Sequence, residues 1–365
     1  MQSGRSKPIV RNDSSAPLRI CGTIGKRGKT VTNPQHDAIL VTGGCGYIGS
    51  HVVRQLSESG RRVVVYDNLS TGFRDALIHG EQLIEADLKD REALDDTFRH
   101  FRFTTVLHFA ASIVAPESVA QPLSYYGNNT RNTLGLLETC IKYGVQRFVF
   151  SSTAAVYGFP DGGVAAEDSS LSPINPYGTS KLVSEWMLRD VSAAHGMHYM
   201  ALRYFNVAGA DPLARMGQRT PEATHLIKVA CQAALGLRDC VNIYGNDYPT
   251  PDGTGIRDYI HIEDLAAAHL CALSYLENGG PSTAVNVGYG RGSSVREVLS
   301  IVKEISGINF NVVEAERRPG DPASLVAQAD RIRGLTGWQP CHNNLATIVA
   351  DAWNWEQKLA RLQQR

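Results

Sequence analysis

Two polar side chains near the middle of the chain have the spacing of an acid–base pair. Tyr177 and Lys181 are four residues apart, directly after Asn175 and Pro176. Asparagine is a favoured N-cap and proline suits the first helical position, so both side chains are predicted on one face of a helix. A free phenol has a pKa of about 10, and a nearby ammonium favours its anion. The pair predicts a tyrosine that takes a proton from an alcohol as hydride leaves the same carbon.

A tyrosine four residues before a lysine is, taken alone, more often a surface pair, so a second signal is needed. Gly43, Gly46 and Gly49 follow an apolar run at three-residue spacing and open a helix-compatible stretch. The backbone N–H groups at a helix start attract an anion, so a pyrophosphate can bind there. Asp67 ends the next apolar run, about 20 residues on, where a carboxylate meets the adenosine ribose. Since that carboxylate would repel a 2′-phosphate, the pattern favours NAD over NADP.

Strand and helix candidates alternate from residue 38 to about residue 204. The predicted strands are 38–42, 62–66, 82–86, 104–109, 146–151 and 198–204. The predicted helices lie near 47–59, 90–100, 118–143 and 176–195. Such alternation is typical of parallel strands joined by right-handed crossovers. We therefore predict an α/β fold with a Rossmann-type doubly wound parallel sheet.

Beyond residue 207 the alternation weakens, and a smaller C-terminal α/β substrate-binding region is predicted. Its strands are predicted at 240–244, 257–261, 284–287 and 309–313, and its helices near 221–236, 263–277, 294–306 and 343–360. The expected organisation is a disordered extension over 1–36, an NAD-binding domain over 37–206, and a mainly substrate-binding region over 207–365.

Ligands of open parallel sheets bind at the carboxyl ends of the strands. Polar or small residues follow each predicted strand of the first region at that end, namely Asp67, Asp87, Phe109 with Ala110, Ser151 to Thr153, and Tyr204 to Asn206. We expect these residues to lie along one edge of the sheet.

The bulk properties exclude several classes of protein. The 36 lysines and arginines balance 36 acidic residues, which argues against nucleic acid or an anionic membrane as the main partner. Seven cysteines without a C-x-x-C pair predict neither a disulfide framework nor a metal site, and reduced thiols suit a cytoplasmic protein. Residues 1–36 carry seven basic side chains against Asp13 alone, so an organelle-targeting segment and a start codon set too far upstream are the alternatives to disorder there.

Several motifs identify a family. The run T-G-G-C-G-Y-I-G-S-H from Thr42 to His51 is followed by D-N at 67–68 and H-F-A-A at 108–111. Later come S-S-T-A-A-V-Y-G at 151–158, P-Y-G-T-S-K at 176–181 and R-Y-F-N at 203–206. This set resembles the extended short-chain dehydrogenase/reductase family. Residues 244–261 and 317–321 resemble its sugar-nucleotide epimerases, and the likeness runs from about residue 38 to residue 356.

The resemblance implies a tightly held NAD that is used and regenerated within one turnover. The expected reaction is reversible inversion of carbon 4 of UDP-glucose to give UDP-galactose through a 4-keto sugar; UDP-pentose or UDP-N-acetylhexosamine is the alternative substrate. Tyr177 is implied as the base, Lys181 as its support and Thr153 as a hydrogen-bonding partner of the reacting oxygen. A homodimer is also implied, through a four-helix bundle made from helices 90–100 and 118–143.

The resemblance also assigns binding residues. The implied cofactor contacts, besides Tyr177 and Lys181, are Gly43, Gly46, Tyr47, Ile48, Gly49, Asp67, Asn68, Asp87, Leu88, Phe109, Ala110, Asn128, Ser151, Tyr204 and Phe205. The implied UDP-sugar contacts, besides Thr153 and Tyr177, are Asn206, His225, Tyr244, Arg257, Arg318, Asp321 and Leu325. Arginine fits a pyrophosphate because its planar fork donates two parallel hydrogen bonds.

Three positions depart from the family pattern. Ile113 replaces a lysine, His225 stands where asparagine often meets the nucleotide, and Leu325 fills a pocket position where a bulky side chain is associated with exclusion of N-acetyl sugars. A dehydratase is disfavoured because Ala154 and Ala155 follow Thr153, where those enzymes carry an extra acid and base. A net dehydrogenase would release NADH, and a non-catalytic NAD-binding protein would not need Tyr177.

Overall fold

The computed structural model describes residues 37–220, 224–318 and 320–363; the predicted disorder of residues 1–36 lies outside these ranges. The strands, named in chain order, are β1 Asp37–Thr42, β2 Val63–Asp67, β3 Gln82–Glu85, β4 Arg102–His108, β5 Arg147–Thr153, β6 Val164–Ala165, β7 His198–Tyr204, β8 Asn206–Ala208, β9 Val241–Tyr244, β10 Ile256–His261, β11 Thr283–Val287, β12 Gly292–Ser294, β13 Val312–Ala315 and β14 Ser324–Ala327.

The helices are α1 Tyr47–Glu58, α2 Arg91–His100, α3 Ala115–Ala120, α4 Pro122–Tyr125, α5 Asn132–Tyr143, α6 Pro176–His195, α7 Leu226–Ala234, α8 Ile262–Glu277, α9 Val295–Ser306, α10 Asp330–Thr336 and α11 Leu345–Gln363. A π-helical turn, Tyr126–Arg131, joins α4 to α5. Short 3₁₀ turns lie at Arg74–Ala76, Ala154–Val156 and Asp161–Gly163. Within the described ranges, no helix combines the length and apolarity needed to cross a membrane.

Seven parallel strands form the main sheet, in the order β11-β7-β5-β4-β1-β2-β3. The chain builds outward from β1 in one direction and then from β4 in the other, so the order reverses between these two strands. Ligands of doubly wound sheets bind at such a reversal, outside the carboxyl ends of the strands. The predicted α/β class and Rossmann-type sheet are confirmed.

The central strands are buried on both faces, which explains their unbroken apolar runs. Consecutive residues alternate between two cores: Val41 joins the cluster under α1 and α8, whereas Leu40 joins the cluster under α2, α5 and α6. Burying one such side chain contributes about 1.5–3 kcal/mol, so the two layers hold the sheet edge rigidly.

The C-terminal region pairs short strands around β10. Strand β8 follows β7 after one residue, Phe205, and pairs with the second half of β10. The first half of β10 lies between β14 and β12. Strands β6 and β14 also pair, and β9 pairs with β13. The short strands β6, β8, β12 and β14 and the helix α10 were not predicted, since two to four residues carry little periodicity.

Three predictions of local structure needed correction. The helix predicted at 118–143 is broken at Gln121, where Pro122 cannot donate to the preceding turn, and widens into the π turn. The strand predicted at 309–313 is shifted to Val312–Ala315. The strand predicted at 284–287 is found, but it pairs with β7 in the main sheet and not within the C-terminal region.

Candidate active site

The polar residues expected along one edge of the sheet do lie there, because all seven strands run in the same direction. Asp67 ends β2, Asp87 and Leu88 follow β3, and Thr153 and Tyr204 end β5 and β7. Thr153 and Tyr204 are neighbours in register. Phe109 and Ala110 follow β4, and the Phe109 N–H donates to the carbonyl of Thr42 at 2.9 Å. Ser151 stands two residues before the end of β5, on the same edge.

Gly43, in the turn between β1 and α1, and Gly49, inside α1, have no room for a side chain. Gly43 has φ +71°, and a Cβ there would lie 2.6 Å from the Ala110 backbone nitrogen. A Cβ at Gly49 would lie 2.2 Å from the Gly43 carbonyl oxygen. None of the described side chains caps α1, whose N-cap is Gly46 and whose first turn holds Tyr47 and Ile48. The backbone N–H groups at the helix start are thus not capped by any described side chain, which fits a pyrophosphate.

Asp67 is held so that its carboxylate faces the same turn. Its oxygens accept the N–H groups of Cys45 at 2.9 Å and Leu69 at 2.8 Å. Burial raises the pKa of Asp67, and the two backbone hydrogen bonds oppose that effect. Asn68 donates to the Asp87 carboxylate at 2.9 Å, so the side chains that follow β2 and β3 form one group. This arrangement suits a ribose with two hydroxyls.

Helix α6 begins as predicted and carries Tyr177 and Lys181 over the end of β5. The Asn175 side chain accepts the Gly178 N–H at 2.9 Å, which fixes the first turn. Burial raises the pKa of Tyr177 and an interaction with the Thr153 hydroxyl lowers it, so the two hydroxyls lie near each other. Thr153 also accepts the Ala155 N–H at 3.2 Å. The phenol therefore lies at the carboxyl edge of a central strand.

Lys181 is buried and points to the same strand end. Its Nζ donates to the Ser151 carbonyl oxygen at 2.9 Å and lies 5.0 Å from the centre of the Phe150 ring. The Ser151 hydroxyl in turn forms a short hydrogen bond with the Tyr204 hydroxyl. Lys181 is thus positioned by the backbone of β5 beside the residues of β7.

The pKa directions differ from the expectation for this pair. Burial raises the pKa of Tyr177, and the hydrogen bond with Thr153 opposes that effect. Burial lowers the pKa of Lys181 to about 7, opposed by the charge of Glu185. We expected Lys181 to lower the pKa of the phenol; in the free protein, burial dominates. The phenol is therefore protonated at neutral pH until a positive charge is placed beside it.

The π turn brings two asparagines to this site. Asn129 is buried, accepts the Ser112 N–H at 2.8 Å and donates to the hydroxyl of Ser180 on α6 at 3.0 Å. Asn128, the residue predicted to meet the cofactor, is half-buried and donates to the Ser112 hydroxyl at 3.0 Å. Ile113 is exposed. Sequence reasoning missed Asn129, although adjacent asparagines inside a helical run, where they are poor formers, could have signalled a polar task.

Four of the predicted substrate residues meet at β10. The Arg257 Nη2 lies 3.4 Å from the Asp321 Oδ1, and Arg257 pairs in register with Leu325 of β14. Asn206 opens β8, which pairs with the same strand at Tyr259. These contacts join residues that are far apart in the chain at one end of β10.

The remaining predicted substrate residues lie around this group. The Arg318 guanidinium stacks on the Tyr244 ring, 3.7 Å from its centre, and a hydrogen bond from Arg318 lowers the pKa of Tyr244. His225 stands before α7 and forms a hydrogen bond with the Gln218 side chain at 2.9 Å. Phe205 lies buried between β7 and β8. Within the described part of the chain, no hydrogen bond or ion pair joins His225 to Arg257 or Arg318.

A buried polar network behind α6 was not predicted. Glu185, one turn beyond Lys181, receives hydrogen bonds from Arg203 of β7 and from Ser152 of β5. Arg203 also donates to the Tyr157 hydroxyl at 3.0 Å, and Tyr157 donates to Asn286 at 2.7 Å. The four-residue interval from Lys181 to Glu185 was the available signal, but nothing local indicated Arg203 as the partner.

Known proteins are similar to this chain over most of its length. Residues 39–288 match the model of the family described as the NAD dependent epimerase/dehydratase family. A UDP-glucose 4-epimerase of Azospirillum brasilense is 55% identical over 331 residues, covering 91% of this chain and 94% of its own.

Two solved structures are similar over nearly their whole length. The UDP-Glc/GlcNAc 4-epimerase of Campylobacter jejuni is 48% identical with a TM-score of 0.78, covering 88% of this chain and 99% of its own. The UDP-glucose 4-epimerase of Bifidobacterium longum, in complex with NAD+ and UDP, is 34% identical with a TM-score of 0.84, covering 88% and 98%.

Proposed function

Because this chain belongs to the NAD dependent epimerase/dehydratase family, we propose that it interconverts UDP-glucose and UDP-galactose by inverting carbon 4 of the sugar. The cofactor is NAD. The observation that most supports this reaction is the position of the Tyr177 phenol, near the Thr153 hydroxyl and at the same sheet edge as the uncapped N-terminus of α1.

The described residues fit NAD at that edge. The start of α1, which no described side chain caps, suits the pyrophosphate, and the carboxylate of Asp67 suits the adenosine ribose. NAD, when bound, supplies the hydride acceptor for carbon 4 and a positive charge beside the phenol. Residues 37–206 form the proposed NAD-binding domain, joined in the sheet by β11 from beyond the predicted boundary.

Tyr177 is the proposed acid and base. Its phenolate takes the proton of the sugar 4-hydroxyl and later returns a proton to the 4-oxygen, after the configuration of carbon 4 has been inverted. Thr153 holds this reacting oxygen by a hydrogen bond. Lys181, fixed to the Ser151 carbonyl, orients the ribose and adds positive charge when protonated. Arg257, Arg318 and Asp321 are the proposed UDP-binding residues, since two arginines match the oxygens of a diphosphate.

A product analysis tests the proposal. Purified protein is incubated with UDP-glucose, with and without added NAD, and the UDP-hexose stereoisomers are resolved by chromatography. We expect UDP-galactose to accumulate until the ratio of the two sugars stops changing, approached equally from UDP-galactose. Absence of the galactose isomer under both conditions would overturn the proposal, and steady release of NADH would indicate a net dehydrogenase instead.

A second substrate class is retained because of Leu325. It pairs with Arg257 at the substrate end of β10 and is smaller than an aromatic side chain. The Campylobacter jejuni relative is named for both glucose and N-acetylglucosamine forms. Parallel assays with UDP-N-acetylglucosamine and a UDP-pentose, at equal concentration, rank these substrates against UDP-glucose.

We also propose a homodimer. Large apolar side chains are exposed on α3, α4 and α5, namely Val119, Leu123 and Leu134, and Trp186 is exposed on the adjacent α6. The exposed positions of α2 are charged or polar, so we infer that α6 contributes to the bundle where the sequence suggested α2. Leu123→Glu should give a monomer in light scattering, whereas Leu213→Glu, on another exposed leucine, should not.

A cytoplasmic location stays a prediction from the sequence.

A further inference from the structure

A buried hydroxyl beside the proposed substrate residues has no partner among the described residues. Tyr248 is only 7% exposed, and its Oη, shielded from solvent, makes no hydrogen bond within the described part of the chain. An unpaired buried hydroxyl opposes folding because it loses its bonds to water without replacement. Native proteins rarely keep such a group, so its presence needs an explanation.

The ring of Tyr248 is fixed in place, so the hydroxyl cannot turn away to find a partner. The Arg317 guanidinium covers one face, 4.2 Å from the ring centre, and Asp247 holds that guanidinium at 2.7 Å. On another side, a Cβ at Gly245 would lie 2.5 Å from the Tyr248 ring. The backbone is tied as well, since the Tyr248 N–H donates to the Gly253 carbonyl at 3.0 Å.

Two of the charges that act on this hydroxyl, those of Asp321 and Arg257, belong to the proposed UDP-binding group. Burial raises the pKa of Tyr248, and the charges that act on it next are those of Asp321, Arg317 and Arg257. Arg257 and Asp321 are themselves only 3.4 Å apart. The hydroxyl can donate to an anionic oxygen, and the guanidinium groups of Arg317 and Arg257 attract the same oxygen.

We propose that Tyr248 is a further substrate-binding residue, whose hydroxyl donates a hydrogen bond to a phosphate oxygen of the nucleoside diphosphate held by Arg257. The inference rests on the proposed function, because it takes UDP as the ligand of this group. It explains why the hydroxyl has no partner among the described residues: its acceptor arrives with the substrate. It also adds a neutral hydrogen-bond donor beside the arginines. The family motifs did not assign this role to Tyr248.

The test compares two tyrosine-to-phenylalanine variants of the full-length protein. Tyr248→Phe removes an unpaired hydroxyl, whereas Tyr157→Phe removes one that donates to Asn286 at 2.7 Å and accepts from Arg203 at 3.0 Å. Thermal unfolding is measured without nucleotide, and UDP and uridine affinities are measured by calorimetry. KM and kcat for UDP-glucose complete the comparison.

Tyr248→Phe should bind UDP about tenfold more weakly, as expected for a lost hydrogen bond to a charged group, while uridine binding is unchanged. KM should rise with kcat retained, because the bond is made equally in the ground and transition states. Without nucleotide, Tyr248→Phe should unfold at the wild-type temperature or above it, and Tyr157→Phe below it.

Three results would overturn the inference. Unchanged UDP affinity in Tyr248→Phe would show that the hydroxyl does not contact the ligand. An equal loss of uridine affinity would show that the hydroxyl does not contact the phosphates. A fall in unfolding temperature as large as that of Tyr157→Phe would show that a buried water already satisfies the hydroxyl. Failure of the wild-type protein itself to bind UDP would instead overturn the proposed function, and this inference with it.

Discussion

Glu185 and Arg203 form a buried, bidentate ion pair one helical turn beyond Lys181. The Arg203 Nη2 lies 2.6 Å from Oε2 of Glu185, and its Nε lies 3.0 Å from Oε1. Both side chains are nearly inaccessible to solvent. Because Glu185 is on α6 and Arg203 on β7, the pair fixes the helix that carries Tyr177 and Lys181 against the main sheet.

Replacing Glu185 with glutamine should affect both stability and pH dependence. Removing one partner of a buried pair leaves an uncompensated charge and costs about 3–5 kcal/mol of unfolding free energy. The charge of Glu185 also raises the pKa of Lys181, which burial holds at about 7. Without it the ammonium is lost at lower pH, so the alkaline limb of kcat/KM should move to lower pH. Urea unfolding and a pH–rate profile measure the two effects.

Glu356→Gln provides the matched control for that variant. Glu356 forms an equally buried pair with Lys228, on α11 and α7, away from α6. It should lose comparable stability and keep the wild-type alkaline limb. An unshifted limb in Glu185→Gln would limit Glu185 to a structural role.

Tyr177→Phe should abolish epimerisation without unfolding the protein. Loss of a positioned acid–base group costs about 10²- to 10⁴-fold in rate, and the only change is removal of one hydroxyl. Bound NAD, measured after denaturation, and the unfolding temperature should stay near the wild-type values. Tyr143 is the last residue of α5, and its hydroxyl donates a hydrogen bond to Asp95 of α2. The control variant Tyr143→Phe, which removes that hydroxyl, should keep full activity. Turnover by Tyr177→Phe within tenfold of wild type would contradict the proposed role.

His108 should make the protein less stable toward acid. Burial lowers its pKa to about 3, and the neutral ring bridges the hydroxyls of Thr42 at 2.6 Å and Thr133 at 2.8 Å. Between about pH 6.5 and pH 3 the unfolded chain therefore binds a proton that the folded protein does not. Unfolding is then favoured as pH falls, by about 1.4 kcal/mol per pH unit for this one histidine.

The measurement compares unfolding free energies of the wild-type protein and His108→Gln at several pH values from 4 to 7. The variant should be less stable at pH 7 because it loses the bridge, but its stability should fall less steeply with acid. Parallel curves for the two proteins would show that His108 takes no part in the linkage.

The features found from sequence are those with a local physical cause. Asn175 and Pro176 specify a helix start, which fixes where Tyr177 and Lys181 lie. Likewise the alternation of strands and helices specifies a parallel sheet, and a parallel sheet places every strand end on one edge. The grouping of Asp67 with Thr153 at this edge follows from that rule without knowledge of any contact.

The features that were missed depend on partners distant in the chain. No local pattern indicates that Arg203 pairs with Glu185, or that β11 joins β7. The pKa of Tyr177 was misjudged for a similar reason: spacing gives the proximity of Lys181 but not the burial of the phenol, which is the larger effect. Burial is set by the packing of the whole fold.

Leu325 should set the tolerance of the site for N-acetyl sugars. It stands beside Arg257 across the β10–β14 ladder, and its half-buried side chain packs against the main core. A larger ring there would occupy space next to the sugar. Leu325→Tyr should therefore lower kcat/KM for UDP-N-acetylglucosamine by about tenfold or more, because steric rejection of a larger substrate is worth a few kcal/mol. The same variant should largely keep UDP-glucose turnover. Leu325→Met, which conserves volume, should keep the wild-type ratio of the two substrates. The ratio of the two kcat/KM values, measured for all three proteins, decides the matter: an unchanged ratio in Leu325→Tyr would place Leu325 outside the sugar pocket.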